Sequence, residues 1–277
     1  MTDHGTNPAL LNASDGVPIA YRVHGADRAL PFVGLVHSLA MDHRFWNPVA
    51  ERLAGRANVI AIDARGHGRS GVSNPPYTAD RMAQDLLEVM DHLQVDKAVV
   101  GGASMGGCIA LTFAGKHQDR TSGLALIDTT AWYGPTAPKD WEDRAMKAVS
   151  QGLGALVGFQ KSRWFSDAFC AREPGVVQNC VDTFLANDLN AYVSTCRMLG
   201  VFDGRTLLPQ IRVPTRILVG DEDYAAPIEM AQALHAGIRH SSLTVIPGAR
   251  HLTPLEVPDI IAGALDELCL ESRNDAI

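Results

Sequence analysis

At 277 residues, with 46% apolar and 20% charged side chains, the chain has the composition of a folded globular protein, long enough for one large domain or a domain carrying an insertion. A formal net charge of −7, with no block of like charges, disfavours recognition of nucleic acid or of an anionic membrane surface through a basic field. Cys108, Cys170, Cys180, Cys196 and Cys269 are widely spaced and include no CxxC pair, which argues against a disulfide framework or a zinc site and predicts buried free thiols.

The N-terminal stretch MTDHGTNPALL has neither a basic start nor an apolar run of signal-peptide length, and no segment approaches the roughly 20 apolar residues of a membrane span. A cytoplasmic location is expected. Residues 18–24 (PIAYRVH) alternate in polarity after a Ser14–Asp15–Gly16 turn and predict an antiparallel edge strand or hairpin arm. Short apolar runs rich in β-branched residues then recur at 32–36, 58–62, 97–101, 123–127, 216–219 and 242–246. Helix-length segments lie between them, at about 47–54, 78–94, 105–117, 228–237 and 258–270, several opened by Asp, Thr or Pro at cap-like positions. Such an alternation predicts an α/β architecture with a mostly parallel sheet covered on both faces.

The rhythm breaks once, between Ile127 and Arg216. Residues 132–206 read as an inserted helical cap, leaving 1–131 and 207–277 as the core. The cap holds Trp132, Trp141 and Trp164, with Phe159, Phe165, Phe169, Phe184 and Tyr192 alongside. Most of these are expected to pack the cap on itself and a few to line a pocket between cap and sheet, where apolar, aromatic-walled ligand sites form.

At Gly102–Ala103–Ser104–Met105–Gly106 the chain matches GxSxG between an apolar run and a helix-like run. In that setting a serine stands on a sharp strand-to-helix turn, and the flanking glycines remove side chains that would collide with neighbouring backbone. Neither a GxGxxG register nor a following Lys-Ser/Thr pair supports a phosphate loop. A serine hydroxyl is a weak nucleophile near neutral pH and needs a base that is itself oriented by an acid. Downstream, VGDEDYAAP (219–227) places Asp221, Glu222 and Asp223 just beyond an apolar run, at the strand end where sites gather in open α/β sheets. IPGARHLTPLEVP (246–258) places His251 between the last strand and the last helix.

From about residue 15 to 270, through LVHSLAMDHRFW, IDARGHGRS, GGASMGG, VGDEDYAAP and IPGARHLTPLEVP in this order, the sequence resembles the α/β-hydrolases. Within them it is most similar to the 3-oxoadipate enol-lactonase group, through HSL followed by Phe45–Trp46, PPYTADRMAQDLL, LIDTTAW and RWF. The resemblance implies Ser104 as nucleophile, Asp223 as the acid in preference to Asp221 or Glu222, and His251 as general base. It implies structural roles for His67 and His37. It also implies an oxyanion hole from the backbone amides of Met105 and Leu39, with Ser38 the neighbouring alternative. Where that group usually follows the leucine with glycine, this chain has Ala40.

The implied reaction is hydrolysis of a small-molecule carboxylic ester or lactone through an acyl-enzyme, with no metal and no organic cofactor. An enol-lactone substrate would carry a free carboxylate, for which Arg144, Arg163 and Arg197 of the cap are the candidate cations. Three alternatives stand beside it: a carboxylesterase of different specificity, a C–C bond hydrolase or perhydrolase on the same triad, and a ligand receptor that keeps only the fold.

Overall fold

In the computed structural model, which describes residues 8–274, the apolar runs assemble into an eight-stranded sheet. The strands are β1 (Ala9–Asn12), β2 (Pro18–His24), β3 (Phe32–Val36), β4 (Asn58–Ile62), β5 (Ala98–Ala103), β6 (Thr121–Ile127), β7 (Thr215–Gly220) and β8 (Ser241–Ile246). Their order across the sheet is β1-β2-β4-β3-β5-β6-β7-β8. Only the pairs made by β2, with β1 and with β4, are antiparallel. The remaining pairs are parallel, with β5 at the centre between β3 and β6.

Residues of β4 and β5 are buried throughout, as a strand covered on both faces requires. Helices α1 (Asn47–Arg52), α2 (Ala79–His92) and α3 (Met105–Lys116) follow the early strands, and α2 is opened by Thr78, whose hydroxyl accepts from the Arg81 amide. α2 packs beside α3. Between β6 and β7 the chain forms α4 (Ala137–Gln151), α5 (Val157–Trp164), α6 (Asp167–Arg172), α7 (Pro174–Leu185) and α8 (Leu189–Val201), with α4 lying along α8. After β7 come α9 (Ile228–Gly237), the short α10 (Thr253–Glu256) and α11 (Pro258–Asn274), which packs against α1.

Strand β2 is the hairpin arm expected at 18–24: β1 pairs with it antiparallel across the turn at 14–16 and takes the sheet edge; β1 is largely exposed, so it lacks the buried alternation by which a strand is recognised in sequence. The central strand expected at 97–101 extends to Ala103, so that it ends directly against Ser104. None of the five cysteines forms a disulfide among the described residues, and all but the half-buried Cys170 are buried. The first seven residues of the N-terminal stretch lie outside the described residues. Among the described residues, no helix is long and apolar enough to cross a membrane.

Candidate active site

Ser104 stands between β5 and α3 with φ 54° and ψ −117°, a left-handed backbone that costs an L-residue about 1–2 kcal/mol. Glycines permit the turn. A Cβ on Gly102 would meet the Gly106 carbonyl oxygen at 2.1 Å, and one on Gly106 would meet that of Val36 at 2.0 Å. Ser104 Oγ lies 2.8 Å from His251 Nε2, and His251 Nδ1 lies 2.8 Å from Asp223 Oδ2. Because a carboxylate only accepts, Nδ1 carries the ring proton and Nε2 is left to accept from the serine hydroxyl. The other carboxylate oxygen of Asp223 accepts from the amides of Ala225 (2.7 Å) and Ala226 (2.9 Å), which fixes its plane. Of the neighbouring carboxylates, Asp221 accepts from the Gly248 amide and Glu222 from Arg250, so both brace loops rather than face His251.

The loop after β3 runs along the Ser104 turn, close enough that a Cβ on Gly106 would meet the Val36 and His37 carbonyl oxygens. Met105 is the first residue of α3, so its amide has no intrahelical acceptor, although its side chain is fully buried; Leu39 and Ser38 line the cavity above Ser104. Ala40 adopts φ 62°, the left-handed conformation that glycine takes at little cost, and its carbonyl accepts from Asn187 of the helical insertion. Beneath the loop, His37 Nδ1 donates to the Ser38 carbonyl while its Nε2 accepts from the Ala64 amide. His43 donates to the buried Asp63 from both its backbone amide and its ring. The His37 and His67 rings pack at a tilt of 57° with centroids 5.3 Å apart, and the hydrogen bonds of both run to backbone groups rather than to the serine hydroxyl.

A cavity of about 530 Å³ opens over Ser104 and His251. Trp141, Trp164, Arg144 and Arg163 stand on its wall. Trp132 and Arg197 do not. Trp132 and Tyr133 are successive residues of an extended segment, so their side chains point opposite ways; Tyr133 faces the cavity, whereas Trp132 is covered by the Arg205 guanidinium 3.9 Å from its ring. Arg197 makes a bidentate pair with Glu142 at 2.8 and 2.7 Å, a surface bridge between α8 and α4.

Among the described residues, Arg144 has no such partner. Its Nε donates to Tyr192 Oη at 2.8 Å, and its guanidinium lies 4.8 Å from the Trp141 ring and 5.8 Å from that of Phe159. Burial works against its charge, but Tyr192, Cys196 and Tyr133 outweigh burial and hold its pKa above the usual guanidinium value, and none of these is a carboxylate. Burial and then the like charge of Arg144 both push Arg163 below the usual guanidinium range, so the two cations share one low-dielectric wall. Asp140, Asp143 and Lys147 occupy the exposed rim.

Tyr133, Gln160 and Met230 also line the cavity, with Ala137, Leu156 and Ala225, without having been expected there. Tyr133 carried a readable signal, since it adjoins Trp132 in the strand-like stretch after β6, but which of two adjacent aromatics faces inward depends on a one-residue register.

Residues 35–264 match the model of the Alpha/beta hydrolase family. The chain belongs to that family. Among this hydrolase's relatives, 3-oxoadipate enol-lactonase 1 of Acinetobacter baylyi is 29% identical over 252 residues, covering 90% of this chain and 92% of the relative. The solved enol-lactonase of Burkholderia xenovorans superposes with a TM-score of 0.89 at 31% identity, covering 94% of this chain and 99% of its own. A thermophilic esterase from Thermogutta terrifontis, solved with malate bound, superposes at 0.88 with 30% identity, covering 96% and 98%.

Proposed function

We propose that this hydrolase cleaves a carboxylate-bearing carboxylic ester or lactone through an acyl-enzyme formed on Ser104. The observation that carries the mechanism is the unbroken chain Ser104–His251–Asp223, with both bonds at 2.8 Å, opening into the cavity. His251 Nε2 takes the Ser104 proton as Oγ attacks the carbonyl carbon, and the oxyanion that develops is held by the Met105 and Leu39 amides. The adduct collapses with cleavage of the C–O bond, and the imidazolium returns its proton to the leaving oxygen. In a lactone that oxygen stays on the acyl group. Water, deprotonated by the same imidazole, then attacks the acyl-serine and releases the acid.

Arg144 supports the substrate class. A guanidinium sunk in an aromatic wall without a carboxylate partner is costly to desolvate, and a substrate carboxylate would offset that cost. The likeness to a 3-oxoadipate enol-lactonase and to an esterase solved with malate bound supports a carboxylate-bearing substrate. The second reading, an esterase for neutral acyl groups, draws on the apolar part of the same wall, formed by Leu156, Phe159, Trp164 and Met230.

A fluorophosphonate probe followed by mass spectrometry is expected to add one label, on Ser104; a label elsewhere, or none, refutes the mechanism. Parallel hydrolysis of a lactone, a neutral ester and a carboxylate-bearing ester is expected to give the highest kcat/KM with a carboxylate present. Preference for the neutral ester would favour the second reading.

A further inference from the structure

Three consecutive residues at the end of β6 touch each of the three loops that carry the site. The Ile127 carbonyl accepts from the Ser104 amide at 2.9 Å, and Thr129 Oγ1 donates to the Ser104 carbonyl at 2.6 Å. Between them, Asp128 is fully buried, with φ 49°. Its amide donates to the Leu218 carbonyl in β7 at 2.8 Å. One carboxyl oxygen accepts from the Gly220 amide, at the end of the strand that leads into the Asp223 loop, at 3.3 Å. The other accepts from the Thr253 amide at 3.1 Å and meets Thr253 Oγ1 at 2.6 Å, two residues beyond His251.

The geometry points to Asp128 as a positioning residue that locks the His251 loop to the strand carrying Asp223, so that base and acid keep their register against Ser104. This rests on reading His251 as the general base. Nothing else in the core asks for a carboxyl here: a wholly buried aspartate is costly, and this one meets no lysine or arginine among the partners that satisfy it. Burial first, and then the nearby Asp223 charge, push its pKa well above the usual carboxylate range, which suits a neutral hydrogen-bonding group better than a second anion beside the site. Asp128 touches neither His251 nor the cavity lining, so it acts through Thr253 and Gly220.

The test compares Asp128→Ala, Asp128→Asn and Thr253→Val with the unaltered enzyme, by ester turnover and by the rate of fluorophosphonate labelling at Ser104. Asp128→Ala is expected to lower kcat and the labelling rate at least tenfold while KM changes less than about threefold. In Asp128→Asn the amide carbonyl can still accept from Thr253, and only the weak Gly220 contact is lost, so both rates are expected to stay within about threefold. Thr253→Val, which keeps the carboxyl and removes its hydroxyl partner, is expected to lose threefold or more, and it keeps the test decisive if Asp128→Ala does not fold. Retention of both rates within twofold in Asp128→Ala or Thr253→Val, even with a lowered Tm, overturns the proposal, as does an Asp128→Asn enzyme no better than Asp128→Ala. Absence of labelling in the unaltered enzyme would instead refute the reading of Ser104 and His251 beneath it.

Discussion

His251 Nδ1 and Asp223 Oδ2 meet at 2.8 Å although they stand on different loops, 28 residues apart in the chain. Asp223 has both oxygens engaged, one by the imidazole and one by two backbone amides, so it cannot rotate to accept a different ring tautomer. Asp223→Asn replaces one acceptor with a donor that faces Nδ1–H and favours the wrong tautomer. Turnover is expected to fall on the order of 10⁴-fold with an unchanged circular-dichroism spectrum. Retained turnover would move the acid to Asp221 or Glu222.

Arg144 provides a selective prediction. Arg144→Met keeps an apolar stem against Trp141 and Phe159 and removes the charge. The KM of a carboxylate-bearing ester is expected to rise by about tenfold or more, the loss of one charge-assisted contact, while a neutral acetate ester is hydrolysed as before. An equal effect on both esters would show that the arginine only shapes the wall.

Ala40 holds a left-handed backbone in the loop beside Ser104. Ala40→Gly removes the Cβ strain and adds flexibility to the unfolded chain, and the balance is expected to stabilise the fold by about 0.5–1 kcal/mol. Urea unfolding checks this; a lower midpoint would mean that the methyl packs better than the strain costs.

Burial, reinforced by His37, pushes His67 down to about pKa 3, and its Nε2 has no hydrogen-bond partner. The unfolded chain therefore binds a proton below about pH 6.5 that the folded chain refuses down to about pH 3. In that window the folded state loses about 1.4 kcal/mol per pH unit from this group as pH falls, and above it the group contributes no slope. Urea midpoints measured from pH 7 to 5 are expected to fall less steeply in His67→Gln than in the unaltered protein. Identical slopes would exclude His67 as the source.

The sheet and the serine turn were legible because each leaves a local mark: β-branched runs such as NVIAI at β4, and glycines placed where Gly102 and Gly106 exclude a side chain. Arg144 and Arg197 lie on neighbouring helices and look alike in sequence, yet Glu142 takes one of them and the cavity takes the other, a choice made by packing of α4 on α8. Asp128 falls just past the apolar run 123–127, inside the LIDTTAW stretch, and its reach to Thr253 spans 125 residues, beyond any local pattern.

The inserted helices are fastened to the loop that carries His251. The amides of His251 and Leu252 donate to the carbonyls of Arg163 and Trp164 at the end of α5, Arg250 reaches the Phe165 carbonyl, and Ser166 is held by Glu256. In engineering terms the helical insertion is therefore not an exchangeable cassette. Transplanting another relative's helices between β6 and β7 would import a new pocket and at the same time unseat His251, so specificity grafts in this scaffold must carry residues 250–256 along with the helices.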